Sequence, residues 1–381
     1  MIKIQDIATL SNGINFGKSA YTSGIKLIGV SDFKDRMYPD YNSLQEVDAK
    51  IVRENDFLHK GDIVFVRSNG NKELVGRCMM INQDTPVTFS GFCIRLRLNN
   101  TQLYNPTFFT YLFKSNGFRK AIAGTAVGAN IQNLSQGRLG NYEFECPNIK
   151  TQHRIATTLS RYDSLIDNYQ KQIKLLEEAA QRLYKEWFVN LRFPGHENTK
   201  IVDGVPEGWE KKSVGDMLRR MERTKQVPSN EYLKRGEIPV IDQSRNFVAG
   251  YTNDEDSRLK VTTPVILFGD HTRVLKYLSF SFARGADGTQ LIMSNDIDRL
   301  PQSLFYNALV EKDLSNYSYA RHFKYLKAEQ ILVPTKEIAQ KFDTFAAKIY
   351  EQIQSCRHQL RLLTESRDRL LPKLLSGEIE V

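Results

Sequence analysis

The most informative pattern in this chain is a heptad stretch, IATTLSRYDSLIDNYQKQIKLLEEAAQRLYKEW, which covers Ile155–Trp187. Its apolar-leaning residues recur in alternating steps of four and three, and neither proline nor glycine interrupts them. A sustained a/d heptad of this length predicts a long helix with a coiled-coil seam. We place this helix over about Lys150–Trp187.

A second copy of the pattern lies 187 residues further on, over about Lys336–Leu371. Its phase is kept throughout, with Arg367 as the one clear defect, and Pro372 predicts a kink or an end of the helix nearby. The same offset aligns identical residues ahead of the helices, Leu139 with Leu326 and Pro147 with Pro334. We interpret this as an internal duplication. The predicted seam consists of Ile155, Leu159, Ile166, Ile173, Leu176, Leu183, Phe342, Ile349, Ile353, Leu360, Leu363 and Leu370.

Each helix follows a compact segment that is rich in short β-like runs separated by turn residues. The predicted organisation is a globular domain over residues 1–146, a long helix over 147–192, a linker with the second globular domain over 193–333, and a second long helix with a tail over 334–381. The fold class is α+β: two α/β globular domains separated by a pair of long antiparallel helices that form a coiled coil, with a pseudo-two-fold internal repeat. The antiparallel arrangement follows from the expectation that a tandem repeat packs about a two-fold axis.

Shorter patterns predict elements inside both globular segments. In the first we expect strand, turn and strand over Asp62–Ile81, a half-buried strand over Phe89–Leu98 and a helix over Asn105–Ile122. In the second we expect strands over Thr263–Asp270 and Tyr277–Gly285 and a helix over Leu300–Lys312.

The helix pair also implies a distance. The heptad stretch of about 33 residues is roughly 50 Å long at 1.5 Å per residue. Duplex DNA of that length holds roughly 15 base pairs. Domains held at opposite ends of such a rod would suit two separated short sequences on one duplex.

Composition narrows the class of protein. The chain has 381 residues, of which 41% are hydrophobic and 25% charged, as in ordinary globular proteins. Its net charge of +9 favours a polyanionic partner, most often nucleic acid, although many basic proteins bind none. The four cysteines form no C-x-x-C pair, and neither a secretory signal nor a membrane-length apolar run is present. We therefore expect a cytoplasmic protein without disulfides.

Several motifs add to the repeat. The stretches LGNYEFECPNIKTQHRIATTLSRYDSLI and LKAEQILVPTKEIAQKFDTFAAKIYEQI share the Leu and Pro that precede each helix. Others are VPEGWE (Val205–Glu210), GTAVGANIQNLSQGRL (Gly124–Leu139), FGDHTRVLKY (Phe268–Tyr277), GADGTQLI (Gly285–Ile292), NYSYARHFKYLK (Asn316–Lys327) and LLPKLLSGEIEV (Leu370–Val381). In this order and spacing, over essentially the full length, the chain resembles a DNA-specificity subunit of a type I restriction–modification system.

The resemblance implies a function without catalysis. Such a subunit reads a bipartite target on double-stranded DNA through two target-recognition domains, and it recruits two methyltransferase (modification) subunits and, for cleavage, motor-nuclease subunits. This chain would bind no cofactor of its own, whereas the partner subunits would use S-adenosylmethionine, ATP and Mg²⁺. The resemblance also implies that the helices dock the modification subunits. Helix docking needs exposed apolar anchors, for which we nominate Trp187, Phe188, Leu371 and Leu375.

Candidate DNA contacts are polar and basic residues near turns, because arginine can pair with guanine and asparagine or glutamine with adenine. In the first domain they are Lys18, Arg67, Ser68, Asn69, Asn71, Lys72, Thr125, Asn130 and Gln132. In the second domain they are Arg245, Asn246, His271, Thr272, Arg273, Arg284, Arg321 and His322. For each of them an ordinary solvated side chain or a phosphate contact without sequence information is the alternative.

Three motifs suggest other chemistry and are weak. Gly13–Ser19 has three residues between its glycines, where a phosphate-binding loop needs four. Glu210–Lys212 has the spacing of some nucleases, yet two-metal chemistry needs convergent carboxylates. Asp270-His271 is a lone dyad without further metal ligands, which favours a position in a DNA-facing loop.

Two other classes of function stay open on the sequence. One is a two-headed coiled-coil adaptor without DNA specificity, and the other is a stand-alone DNA nuclease or methyltransferase. The sequence does not give the DNA target or the spacer length.

Overall fold

The fold divides into two compact units. The structure is a computed structural model, and it describes residues 1–34, 36–71, 73–123, 133–221, 224–285, 288–317 and 321–380. One unit comprises Met1–Asp167 with Arg361–Val381, and the other comprises Asn168–Leu360. Each unit therefore holds one globular domain together with a part of both long helices.

The first unit contains two sheets and a strand pair. Its strands are β1 (Ile2–Lys3), β2 (Ala8–Asn12), β3 (Tyr21–Ile28), β4 (Gln45–Val47), β5 (Ile63–Val66), β6 (Cys78–Met80), β7 (Val87–Phe89), β8 (Cys93–Leu98) and β9 (Glu143–Phe144). Its shorter helices are α1 (Ile4–Ile7), α2 (Pro106–Lys114), α3 (Asn116–Ala123) and α4 (Gln136–Gly140). One sheet is antiparallel with the order β2-β8-β5-β6, the other has the order β4-β3-β7, and β1 pairs with β9.

The long helices begin where these domains end. α5 (Ile149–Tyr184) continues into a π-helical turn, Lys185–Val189. In the second unit the strands are β10 (Ile201–Val202), β11 (Val205–Pro206), β12 (Glu210–Ser213), β13 (Gln226–Val227), β14 (Ile238–Ile241), β15 (Gly250–Thr252), β16 (Arg258–Leu259), β17 (Val265–Gly269), β18 (Leu275–Leu278), β19 (Phe282–Gly285), β20 (Thr289–Ile292) and β21 (Gln330–Val333). Its helices are α6 (Gln302–Val310), α7 (Phe323–Ala328) and the long α8 (Lys336–Leu375).

The two domains share a core topology, although their sheets differ in the number of strands. In the first, β5 pairs antiparallel with β6 and β8, and α2 follows β8; in the second, β17 pairs antiparallel with β18 and β20, and α6 follows β20. A second sheet in each domain has a parallel pair, β3 with β7 or β14 with β19, flanked by an antiparallel strand, β4 or β15. The pair β1 and β9 precedes α5 as β12 and β21 precede α8. The duplication therefore extends from the helices to the domains.

The long helices pair antiparallel in the second unit. The Cys356 thiol donates to Gln172 Oε1 at 3.6 Å, and the Phe342 ring lies 5.8 Å from that of Trp187, centroid to centroid. Residue numbers on one helix therefore fall as those on the other rise, which confirms the predicted antiparallel pair. α8 also continues through Pro372 to Leu375, one turn beyond the end that the heptad predicted.

The seam defect at Arg367 has a partner in the first unit. Arg367 Nη1 donates to Asp163 Oδ1 at 2.7 Å, and the Tyr111 hydroxyl of α2 donates to Asp163 Oδ2 at 2.5 Å. Adding the repeat offset of 187 to Asp163 gives Tyr350. The hydroxyl of Tyr350 donates to Asn307 of α6 at 3.0 Å. Each unit thus joins its domain helix to a long helix by a polar contact at a corresponding place.

The predicted seam residues also form parts of the domain cores. Ile155 and Leu159 are buried with α2 and Leu374 in the core of the first unit. Phe342 and Ile353 are buried in the core of the second, with Ile173, Leu176, Leu183 and Ile349 half-buried against it. Ile166 is buried, and Leu360, Leu363 and Leu370 are half-buried. The helices thus contribute to both cores.

Three shorter elements differ from their predictions. The single helix expected over Asn105–Ile122 is two helices, because Ser115 is extended and its hydroxyl accepts the Phe118 amide at 3.2 Å. Tyr277–Gly285 is divided between β18 and β19, which lie in different sheets. Phe89–Leu98 is likewise divided between β7 and β8, and β8 is buried on both faces rather than half-buried.

Candidate nucleic-acid interface

Several predicted contacts of the second domain meet where β14 and β17 end. We call the loop Asp242–Ala249 and the turn Asp270–Val274 the second loop cluster. The Thr272 hydroxyl donates to the Gln243 carbonyl at 2.6 Å, and the His271 amide donates to Gln243 Oε1 at 3.1 Å. The predicted contacts Arg245, Asn246, His271, Thr272 and Arg273 are all exposed in this cluster. The structure therefore presents five of the eight predicted residues on two adjoining loops.

Backbone geometry fixes the turn in this cluster. Arg273 has a positive φ of 62°, and its amide donates to the Gly269 carbonyl at 2.7 Å. A Cβ on Gly269 would lie 2.4 Å from the Thr272 hydroxyl and 2.7 Å from Gln243 Cβ, so a larger residue does not fit. The Arg273 guanidinium donates to the Leu314 carbonyl at 3.0 Å. Its remaining N–H groups lie on an exposed side chain that can contact DNA.

The other three predicted residues of this domain differ in exposure. Arg284 is half-buried on β19, and Arg321 is exposed with a φ of 89°. His322 is buried, with Nδ1 2.8 Å from the Asp270 carbonyl and Nε2 3.1 Å from the Tyr317 carbonyl. Both ring nitrogens thus lie against backbone carbonyls in the interior, in contrast to the DNA contact that the sequence predicted. Asp270 of the Asp-His dyad is also buried, and its Oδ1 accepts the Phe323 amide.

Two cations hold the loop Asp242–Ala249 from different elements. Lys276 of β18 is 3% exposed, and its ammonium donates to the carbonyls of Asn246 at 2.5 Å and Phe247 at 3.3 Å. The Asp242 carboxylate lies 3.9 Å from the same ammonium. Arg357 of α8 lies over the Phe247 ring, 3.7 Å from its centroid, and pairs with Glu177 of α5 at 2.7 Å. The loop backbone is therefore anchored beside its exposed side chains.

Burial of Lys276 has a consequence for pH dependence. Burial lowers the pKa of Lys276 to about 8; nearby Asp242 opposes this shift and nearby Arg357 adds to it. In the unfolded chain this lysine keeps its proton up to about pH 10.4. Between these values the unfolded state binds more protons, so stability rises with pH. We expect the free energy of unfolding of the wild-type chain, minus that of Lys276→Met, to rise by about 1 kcal/mol per pH unit above pH 8. Urea unfolding of both proteins from pH 7 to 10 measures this difference; a constant difference would contradict the lowered pKa.

The first domain has a corresponding group of loops. We call the loop Arg67–Asn71 and the turn Ser90–Phe92 the first loop cluster. The Arg67 amide donates to the Phe92 carbonyl at 2.8 Å, and its guanidinium donates to the Gly91 carbonyl at 3.3 Å. This cluster follows β5, as the turn Asp270–Val274 follows β17. The equivalent ends of the two domains therefore both carry polar loops.

The remaining predicted residues of the first domain are placed as follows. Ser68 and Asn69 are half-buried, and Asn71 is exposed. The side chains of Asn69 and Asn71 accept the backbone amides of Asn71 and Glu73 and shape the loop. Lys18 is exposed in a 3-10 turn, Lys18–Ala20. The predicted contacts Lys72, Thr125, Asn130 and Gln132 lie outside the described residues.

The sequence interpretation missed two residues of these clusters. Phe92 is 62% exposed at the tip of the first loop cluster, where an aromatic ring can pack against sugar or base. The sequence did carry a signal for Phe92, because the turn residues Ser90 and Gly91 between two strands place the following aromatic residue at a loop tip. Gln243 orders the turn Asp270–Val274 through two hydrogen bonds. Its role depends on a contact with a distant segment that no local pattern carries.

The weak motifs have structural roles. Glu210 of β12 pairs with Lys212 and Arg299, and these hydrogen bonds lower its pKa to about 2. A Cβ on Gly13 would lie 2.2 Å from the Phe89 carbonyl oxygen, so Gly13 allows two backbone segments to approach closely. Across the described ranges, no group of three or more His, Cys, Asp or Glu side chains is arranged to bind a metal ion.

The nominated docking anchors differ in exposure. Trp187 and Phe188 are buried, and both rings contact Phe342. Leu371 and Leu375 are half-buried against the core of the first unit. Trp187 and Phe188 are therefore core residues rather than exposed anchors. No described helix combines the length and the apolar character that crossing a membrane requires.

The fold and its loops define a protein with two copies of one domain, each followed by a long helix. Residues 1–178 match the sequence profile described as "Type I restriction modification DNA specificity domain". The MjaIX specificity subunit of Methanocaldococcus jannaschii, a type I restriction enzyme subunit, is 28% identical over 71% of this chain and 68% of its own length. The EcoKI specificity subunit of Escherichia coli is 23% identical over 47% of this chain and 39% of its own length. The crystal structure of the type I restriction–modification S subunit from M. genitalium superposes with a TM-score of 0.60 at 18% identity, covering 98% of this chain and 95% of that one.

These comparisons make the chain similar to the specificity subunits of type I restriction enzymes. They bear out the resemblance inferred from the sequence, and the S-subunit structure confirms the fold class. The named relatives are specificity subunits, so the comparisons favour DNA recognition over the adaptor and the stand-alone enzyme.

Proposed function

We propose that this chain reads a bipartite sequence on double-stranded DNA, one half through each loop cluster. The observation that carries the proposal is the equivalent position of the two clusters, one after β5 and the other after β17, in domains of the same topology. Each cluster presents an arginine, Arg67 or Arg273, that pairs well with guanine. The net charge of +9 supports a contribution from phosphate contacts.

The same proposal includes the partners. We infer that two methyltransferase subunits and the motor-nuclease subunits assemble on this chain in the cytoplasm. S-adenosylmethionine, ATP and Mg²⁺ would be bound by those subunits. With Trp187 and Phe188 buried, Leu371 and Leu375 are the remaining nominated anchors for docking.

The domain boundaries also remain a proposal. We divide the chain into recognition domains over residues 1–146 and 193–333 and long helices over 147–192 and 334–381. A heptad stretch of about 33 residues makes a helix of roughly 50 Å.

The test is a selection from random duplex DNA. The chain, assembled with its modification subunits, is incubated with a library of duplexes, and the bound fraction is sequenced. We expect two short conserved segments separated by a spacer of fixed length. Binding should weaken steeply as salt rises from 50 to 200 mM, because phosphate contacts release counterions. Enrichment of no motif, or of a single continuous one, would contradict the proposal.

A further inference from the structure

The second domain buries a lysine where the first domain buries a methionine. Lys276 of β18 pairs with Leu267 of β17, and Met79 of β6 pairs with Val64 of β5. The next residues along these strands, Tyr277 and Met80, both lie in the core beside the domain helix. Lys276 and Met79 therefore occupy equivalent positions, and they are 3% and 1% exposed.

This replacement is not required by the topology. Met79 packs among apolar side chains, including Val64, Val66 and Ile81, so the position accepts an apolar residue. A buried ammonium loses its hydration and must recover the cost through hydrogen bonds. A charged residue at a position that folds with an apolar one is the kind of local conflict that marks function.

The hydrogen bonds that offset this cost are formed with the second loop cluster. The ammonium's acceptors are the carbonyls of Asn246 and Phe247, at 2.5 and 3.3 Å, with Asp242 at 3.9 Å. All three belong to the loop Asp242–Ala249, whose exposed residues Arg245 and Asn246 are candidate DNA contacts. Lys276 thus fixes the backbone from which these side chains extend.

We propose that Lys276 is a positioning residue for DNA recognition: its buried ammonium holds the loop Asp242–Ala249 in the conformation that presents Arg245 and Asn246 to the second half-site. This inference rests on the proposed function of the loop cluster. Lys276 itself is buried and does not contact DNA. In the first domain the equivalent position is occupied by the apolar Met79.

The test compares the wild-type chain with Lys276→Met, which installs the residue of the first domain. Met79→Leu is the matched control in that domain. Each chain is assembled with its modification subunits and passed through the random-duplex selection, and thermal unfolding is recorded alongside. Arg273→Ala serves to identify the half-site that belongs to the second domain.

We expect Lys276→Met to fold with an unchanged or higher Tm, since a buried charge has been removed. In the selected duplexes, the base preference should weaken at the half-site that Arg273→Ala also affects. The base preference at the other half-site should stay unchanged. Amide hydrogen exchange over residues 242–249 should become about tenfold faster or more, because the loop opens more readily. Met79→Leu should leave both half-sites and this exchange unchanged.

Several results would overturn the inference. These are an unchanged motif with unchanged exchange in Lys276→Met, a loss of both half-sites, or a marked drop in Tm, which indicates a purely structural role. If the wild-type chain enriches no motif, the proposed function fails. The exchange measurement then still decides whether Lys276 holds the loop.

Discussion

Replacing Arg67 and Arg273 together by alanine is expected to weaken binding to the enriched duplex by about 2–6 kcal/mol. A bidentate contact to guanine contributes about 1–3 kcal/mol of discrimination. The two arginines lie in different domains, so their separate effects should add. Fluorescence anisotropy with a labelled duplex, measured at one salt concentration for the single and double variants, checks the sum.

The conservative variants make this prediction specific. Arg67→Lys and Arg273→Lys keep the charge but lose the planar fork that pairs with guanine. They should bind random duplexes like the wild type while losing discrimination at one half-site each. An adaptor without DNA specificity would show no effect of any of these substitutions, and equal loss on specific and random duplexes would indicate phosphate contacts only.

Replacing Arg367 by leucine is expected to destabilise the first unit by about 2–3 kcal/mol. The substitution leaves the Asp163 carboxylate, 17% exposed as a side chain, without its guanidinium partner. Removing one member of a fully buried pair costs about 3–5 kcal/mol, and the partial exposure of this pair reduces the cost. The hydrogen bonds with Asp163 and Asp368 outweigh burial and raise the pKa of Arg367, so the pair stays charged. Urea unfolding at neutral pH measures the difference.

A compensating variant tests whether the unpaired carboxylate, rather than a loss of side-chain packing, causes the destabilisation. Tyr111→Phe, Asp163→Leu and Arg367→Leu together remove the carboxylate, its cation and the hydroxyl that donates to it. This triple variant should recover most of the lost stability, because apolar residues of similar volume replace buried pairs at little cost. The exposed Lys373, paired with Glu378, is the control, and Lys373→Gln should change stability by less than about 0.5 kcal/mol. A triple variant less stable than Arg367→Leu would contradict this account of the pair.

Much of the fold was predictable because its determining pattern is local. Heptad spacing from Ile155 to Trp187 and its copy 187 residues later predicted both helices and the duplication, and the two-fold axis expected of a tandem repeat predicted their antiparallel pairing. Short strands were less predictable, because an apolar run does not show where a chain leaves one sheet for another. Tyr277–Gly285 crosses between sheets in this way.

The candidate site was predictable in composition more than in arrangement. Turn residues flanked by strands pointed to Arg67 and to the segment His271–Arg273, which lie in the loop clusters. His322 shares the polar character of these residues, yet it is buried against the carbonyls of Asp270 and Tyr317. Polarity in a sequence does not distinguish a side chain that faces solvent from one whose partners are distant backbone groups.

The repeat, the long helices, the basic charge and the resemblance to specificity subunits could all be read from the sequence, because periodicity and the order of motifs do not depend on packing. Only the three-dimensional packing shows that Arg367 pairs with Asp163, that Trp187 is a core residue and that Lys276 holds a loop thirty residues earlier in the chain. Each of these facts depends on which distant groups surround a side chain. A buried charge is stable only beside such partners, and their positions are set by packing rather than by neighbouring residues.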